Sequence, residues 1–130
     1  MAGKILIAED NPRNMKLIRV TLRPHGYTIL ETTDGEMALE TAIKEKPDLV
    51  IMDMQLPKLS GLEVTKKLRQ IPAFAHIPII AVTAYAMKGD SEIFIDAGCD
   101  AYLAKPVNTR ELPGVVAELL LKPRSASTAI

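Results

Sequence analysis

Three short apolar runs in this chain each end directly on a polar side chain. They are residues 4–8 before Glu9 and Asp10, residues 49–52 before Asp53, and residues 77–82 before Thr83. Short continuous runs of this kind are typical of parallel strands that helices cover on both faces. The carboxyl ends of neighbouring parallel strands lie side by side, and open α/β sheets bind their ligands there. The sequence therefore predicts that these four polar residues share one crevice.

Glu9, Asp10 and Asp53 would place three carboxylates in that crevice. Two unit charges about 4 Å apart repel by roughly 4 kcal/mol at the effective dielectric of a near-surface site. Either one carboxylate stays protonated or a cation neutralises the cluster. Oxygen ligands with room for water favour a hard divalent ion such as Mg²⁺. A plainer interpretation is that each acid caps a following helix, which suits a single Asp better than a set drawn from two strands.

Length and composition limit the class of protein. A chain of 130 residues predicts one domain. Its 16 basic and 16 acidic residues balance, so we expect no nucleic-acid partner and no membrane partner. The apolar stretches are too short to span a bilayer, and the amino terminus lacks a signal-peptide pattern. Cys99 is the single cysteine and cannot form an internal disulfide, which fits a cytoplasmic location.

Strand and helix patterns alternate five times along the chain. The predicted strands are residues 4–8, 28–31, 49–53, 77–82 and 101–103. The predicted helices run from Pro12 to Pro24, from 35 to 46, from Ser60 to Pro72, from 90 to 97, and over the apolar stripe of residues 112–120. Because Pro113 and Gly114 interrupt that stripe, we expect the last helix to begin late or irregularly. We expect one domain over residues 1–121 and a flexible tail over residues 122–130.

Five strand–helix units with right-handed crossovers predict a doubly wound parallel sheet with the strand order 2-1-3-4-5. Strands one and three are then adjacent, and strand four lies beside strand three. Lys105, just after the fifth strand, could reach the crevice and pair with a carboxylate or hold a phosphoryl oxygen. Taken alone, Lys105 is more simply explained as a solvated lysine.

The polar positions also match a known family. Glu9-Asp10-Asn11, Asp53, Thr83-Ala84, Tyr102 and Lys105-Pro106 stand in the order and spacing of receiver domains of two-component response regulators. The resemblance covers about residues 4–121 and implies the flavodoxin-like α/β receiver fold with five surrounding helices. Residues 60–64 and 81–90 resemble single-domain regulators of the DivK type, and they also resemble receivers fused to hybrid histidine kinases.

The resemblance implies a phosphorelay function. Asp53 would accept a phosphoryl group from a histidine kinase or a histidine phosphotransferase, forming an acyl phosphate. Asp10, Asp53 and the backbone carbonyl of Gln55 would ligate Mg²⁺, for which Mn²⁺ could substitute, and Glu9 would act through water. The family often has Asp where this chain has Glu9; the extra methylene changes the reach of the carboxylate and keeps its charge.

The remaining implied roles concern phosphate binding and output. Lys105 would bind one phosphoryl oxygen, and Thr83 would donate its hydroxyl to another. Thr83 and Tyr102 would then turn inward together as a switch. A cis peptide bond is implied between Lys105 and Pro106, although X-Pro bonds are cis in only about 5–6% of cases. The implied output is phosphorylation-dependent binding of a kinase or adaptor near residues 87–94, in cell-cycle or developmental control, with self-phosphorylation and autodephosphorylation as the only chemistry.

Four alternatives stay open at the level of sequence. The chain could be a receiver domain excised from a hybrid histidine kinase. A phosphatase of the haloacid dehalogenase type also uses an aspartyl nucleophile, but it needs a second Asp where this chain has Gln55. An FMN binder of the same fold would need amides and hydroxyls to bind phosphate in the loop after the first strand, where this chain is acidic. A pure binding module would not react with a phosphodonor.

Overall fold

The computed structural model describes residues 3–84 and 90–121, in which strands and helices alternate. The strands are β1 (Lys4–Ala8), β2 (Thr28–Thr32), β3 (Leu49–Asp53), β4 (Ile79–Thr83) and β5 (Ala101–Ala104). The helices are α1 (Pro12–Leu22), α2 (Gly35–Glu45), α3 (Gly61–Arg69), α4 (Asp90–Ala97) and α5 (Leu112–Leu121). Two short 3₁₀ turns, Arg23–His25 and Pro72–Phe74, follow α1 and α3.

The strands form one parallel sheet in the order β2-β1-β3-β4-β5, which confirms the predicted topology. Ala8 of β1 pairs with Met52 of β3, and Asp53 pairs with Val82 of β4. The carboxyl ends of the three central strands therefore lie at one edge of the sheet, as the sequence predicted.

Each face of the sheet carries its own apolar core. Leu6 and Val50 belong to a cluster that also contains Leu68 of α3 and Phe94 of α4. Successive residues of the same strands point to the opposite face, where they pack in a second cluster with α1 and α5. β3 and β4 are buried along their whole length, which explains why their sequences are uninterrupted apolar runs.

Side-chain caps fix where several helices begin. The Asn11 Oδ1 atom accepts from the backbone N–H groups at the start of α1, and Asp34 and Ser60 do the same for α2 and α3. Each such cap stabilises a helix by about 1 kcal/mol. Because Pro12 follows the first cap, its missing N–H is at a position with no intrahelical partner.

Several predicted boundaries were wrong for local reasons. β4 begins at Ile79 instead of Ile77, because Pro78 has no N–H to donate to the sheet. α3 ends at Arg69, and Ile71 is extended because a residue before proline disfavours the helical conformation. β2, β4 and β5 each extend one residue beyond the predicted end.

The expectation of a late or irregular last helix was also wrong. α5 begins at Leu112 and places Pro113 in its first turn, where a missing N–H costs no hydrogen bond. Asn108 accepts from the N–H groups of Arg110 and Glu111 ahead of the helix, and this turn leads the chain into α5.

Some predictions fall outside the described residues. They are the flexible tail at residues 122–130 and the part of the output segment at residues 87–89. Within residues 3–84 and 90–121, none of the helices has the length and apolar character needed to span a bilayer.

Candidate functional site

The acidic crevice forms where the sequence predicted it. Glu9 follows β1 directly, Asp53 is the last residue of β3, and both side chains are buried. Asp10 is exposed beside them, and one carboxylate oxygen from each residue lies within 4.8 Å of the others. The adjacency of β1 and β3 in the sheet is what brings these three carboxylates together.

Lys105 reaches into the crevice from the end of β5. Its Nζ atom lies 2.9 Å from Asp53 Oδ2 and 2.9 Å from Glu9 Oε1. Its backbone N–H donates to the Thr83 carbonyl, and the Lys105–Pro106 peptide bond is cis, as predicted. The interpretation of Lys105 as a solvated lysine was therefore wrong.

Burial and charge shift the pKa values of two groups in the crevice. Burial raises the pKa of Glu9, and the neighbouring Asp53 charge adds to the rise, against hydrogen bonds from Lys105 and the Asn11 N–H. Burial of the Lys105 ammonium acts to lower its pKa, but hydrogen bonds to Asp53 and Glu9 outweigh burial and leave the pKa raised. The crevice thus holds one ammonium among three carboxyl groups, which is a suitable environment for a further cation.

The oxygen atoms present fit a hard divalent cation. Glu9 Oε1 is buried and accepts no hydrogen bond from the described residues, although the Lys105 ammonium is close enough for charge pairing. Asp10 and Asp53 supply further carboxylate oxygens within reach. Mg²⁺ takes such ligands together with several waters, so a buried oxygen that accepts no hydrogen bond from the described residues, beside an exposed carboxylate, suits it.

Gln55 contacts both Asp53, the phosphoacceptor candidate, and Thr83. The Gln55 N–H donates to Asp53 Oδ1 at 3.0 Å. The Thr83 side chain, at the end of β4, is 0% exposed and donates its hydroxyl to Gln55 Oε1 at 3.1 Å. Sequence reasoning selected Gln55 for its backbone carbonyl alone and missed the contact between its side chain and Thr83. The signal that the sequence offered for this contact was the position of Gln55, two residues after the end of β3 and therefore near the end of β4.

Tyr102 lies on β5 and faces α4. Its ring is half-buried and packs 5.5 Å, centroid to centroid, from Phe94 of α4 at an interplanar angle of 36°. Tilted aromatic pairs of this kind contribute more to stability than the burial of their apolar surface alone. A movement of Tyr102 would therefore directly change the packing of α4 at Phe94.

The fold and the crevice define the class of this protein. Residues 5–117 match the response regulator receiver domain, so the chain belongs to that family. Receiver domains are components of two-component systems and act as regulators.

The chain is similar to particular members of the family. It is 49% identical to the polar-differentiation response regulator DivK of Brucella anthropi over 108 residues, which are 83% of this chain and 88% of that protein. The DivK of Brucella melitensis biotype 1 shows the same identity and coverage.

Solved structures of a receiver domain and a response regulator are also similar to this chain. The receiver domain of a sensor histidine kinase from Pseudomonas aeruginosa is 37% identical with a TM-score of 0.84, over 92% of this chain and 98% of that one. That structure holds a magnesium ion coordinated in its active site cleft. A chemotaxis response regulator of Vibrio cholerae is 25% identical with a TM-score of 0.86, over 92% of this chain and 99% of that one.

Proposed function

We propose that this chain accepts a phosphoryl group on Asp53 from a histidine kinase or a histidine phosphotransferase. The observation that carries the proposal is the environment of the Asp53 carboxylate. It is buried at a strand end, paired with the Lys105 ammonium at 2.9 Å, and held by the Gln55 N–H at 3.0 Å. A fixed carboxylate beside a cation and further acids is suited to attack on a phosphoryl group.

In the proposed reaction, an Asp53 oxygen forms a bond to phosphorus while the bond from phosphorus to the imidazole nitrogen of phosphohistidine breaks. The electron pair of that bond returns to the imidazole, which takes up a proton. Positioning and charge neutralisation supply most of the catalysis in phosphoryl transfer, because the transition state is loose. Lys105 is close enough to Asp53 to bind one phosphoryl oxygen. In the proposed reaction Thr83 would donate its hydroxyl to another.

Mg²⁺ is the proposed cofactor, and Mn²⁺ is a proposed substitute. Asp10, Asp53 and the Gln55 backbone carbonyl would hold the ion, with Glu9 acting through water. When bound, the ion would offset negative charge on the transferring phosphoryl group. Two observations support this assignment: Glu9 Oε1 is buried and accepts no hydrogen bond from the described residues, and the Pseudomonas aeruginosa receiver domain holds a magnesium ion.

The similarity to DivK supports a regulatory role of the same kind. We place this chain in the cytoplasm, in a phosphorelay of cell-cycle or developmental control, where its phosphorylation changes binding to a kinase or adaptor. Tyr102 and Thr83 are the proposed switch residues. The contact between Tyr102 and Phe94 provides a physical connection from β5 to α4.

Incubation with acetyl phosphate and Mg²⁺, followed by mass spectrometry of the intact protein, tests the phosphoacceptor. We expect addition of one phosphoryl group, its loss in Asp53→Asn, and its loss in excess chelator. The matched control is Asp96→Asn, which makes the same change at an exposed position on α4. Undiminished labelling of Asp53→Asn contradicts the proposal, and continuous release of phosphate over many turnovers would support the phosphatase alternative.

A further inference from the structure

The hydrogen bond between Thr83 and Gln55 joins two parts of the site that the proposed function uses separately. The Gln55 N–H donates to Asp53 Oδ1, and the Gln55 side-chain oxygen accepts from the Thr83 hydroxyl. One residue therefore contacts both the phosphoacceptor candidate and the switch candidate. The two contacts come from different parts of Gln55, so its side chain can be changed while its backbone contact is kept.

A threonine hydroxyl has a single proton to donate. In this structure that proton is directed to the amide oxygen of Gln55. A phosphoryl oxygen on Asp53 would compete for the same proton, and Thr83 can serve the phosphoryl group only by giving up the amide oxygen. The side chain of Gln55 thus stabilises the unphosphorylated arrangement of Thr83.

We propose that the Gln55 side chain is a positioning residue that restrains the switch. It holds the Thr83 hydroxyl until a phosphoryl group on Asp53 supplies a stronger acceptor. The inference rests on the proposed function, because it requires Asp53 to be the phosphoacceptor. Gln55→Met keeps the length of the side chain and its backbone contact but removes the acceptor.

The first measurement is the Thr83 side-chain rotamer, read from three-bond couplings to its methyl group in isotope-labelled, unmodified protein. Wild type is expected to hold one dominant rotamer, and Gln55→Met is expected to mix two or more. Gln55→Glu restores an acceptor oxygen and should restore a dominant rotamer. The control is Gln70→Met, the same change at an exposed position after α3.

The second measurement is binding of beryllofluoride, which stands in for a phosphoryl group on a carboxylate, in the presence of Mg²⁺. Loss of one neutral hydrogen bond from the unmodified state should tighten beryllofluoride binding by about twofold to tenfold in Gln55→Met. Gln70→Met should bind as wild type does. In a Thr83→Val background the effect of Gln55→Met should vanish, because the donor is already gone.

The outcomes separate the inference from the function on which it rests. If wild type fails to bind beryllofluoride at Asp53, the proposed function is overturned and the inference with it. If wild type binds but Gln55→Met behaves like Gln70→Met, the inference alone is overturned. Persistence of the Gln55→Met effect in the Thr83→Val background also overturns it, because the side chain would then act by another route.

Discussion

Arg69 binds the carbonyl oxygen of Gly98 with two guanidinium nitrogens, Nε at 3.0 Å and Nη2 at 2.7 Å. Through the same guanidinium it donates to the Phe74 carbonyl and pairs with Asp100. Asp100 in turn accepts from the Ile79 N–H at the start of β4. This network joins the end of α3 to the residue that follows α4. It lies at the start of β4, at the edge of the sheet opposite the acidic crevice.

Replacement of Arg69 should therefore destabilise the protein strongly. Arg69→Met removes the guanidinium that pairs with the largely buried Asp100, and we expect the free energy of unfolding to fall by about 2–4 kcal/mol. Urea denaturation followed by circular dichroism measures the loss. Arg110→Met, at an exposed arginine, should change stability by less than about 0.5 kcal/mol. Equal effects of the two variants would show that the network contributes nothing beyond exposed charge.

Two glycines provide a matched test of close packing at the site. A Cβ atom at Gly61 would lie 2.1 Å from the Asp53 carbonyl oxygen, whereas one at Gly114 would meet nothing within 4 Å. Gly61→Ala must displace the Asp53 backbone, so we expect a loss of about 1–3 kcal/mol in stability and slower labelling of Asp53. Gly114→Ala should stabilise α5 by about 0.5–1 kcal/mol. Labelling of Gly61→Ala at the wild-type rate would mean that Asp53 tolerates the displacement.

Glu9→Gln should stabilise the metal-free protein near neutral pH. Burial raises the pKa of Glu9 above its ordinary value of 4.5, so the folded protein holds that proton more tightly than the unfolded chain. The contribution of Glu9 to the free energy of unfolding therefore falls as the pH rises from the unfolded pKa through the folded pKa. Glutamine does not ionise, so this fall should be absent from the variant.

Thermal denaturation in excess chelator, from about pH 5 to about pH 8, measures that difference. The gain of Glu9→Gln over wild type should grow with pH. Glu118→Gln, at an exposed position of α5, is the control and should follow wild type throughout. A gain that stays constant with pH would assign the effect of Glu9→Gln to packing.

A charge placed on α4 tests the expectation that phosphorylation-dependent partners bind near residues 87–94. Ile93 is 51% exposed on α4, and Val20 is 55% exposed on α1. With beryllofluoride-bound protein as bait, Ile93→Asp is expected to lose the partners that bind only this form, and Val20→Asp is expected to keep them. Quantitative mass spectrometry of the captured proteins compares the two variants. The opposite pattern would move the output surface to α1.

The strands and the acidic cluster were predictable from sequence because their causes are local. A strand buried on both faces must be apolar at every position, so the run before Asp53 identified β3 directly. Parallel strands end at one edge of the sheet, and this geometry was enough to gather Glu9 with Asp53. The errors were also local: Pro72 and Pro78 shifted element boundaries by their effects on neighbouring backbone.

Contacts between distant side chains were decided only by the tertiary structure. Lys105 is 52 residues from Asp53, and the sequence alone favoured a solvated lysine. The pairing of β5 with β4 is what brings Lys105 to Asp53. The hydrogen bond from Thr83 to Gln55 joins residues 28 positions apart, and the hydrogen bond from Arg69 to Gly98 joins residues 29 positions apart. Their formation depends on strand register, loop course and side-chain rotamers together. Residue type and spacing determined which strands this chain forms and where their polar ends meet, because burial and backbone geometry act along the chain. Packing alone determined which donor faces which acceptor.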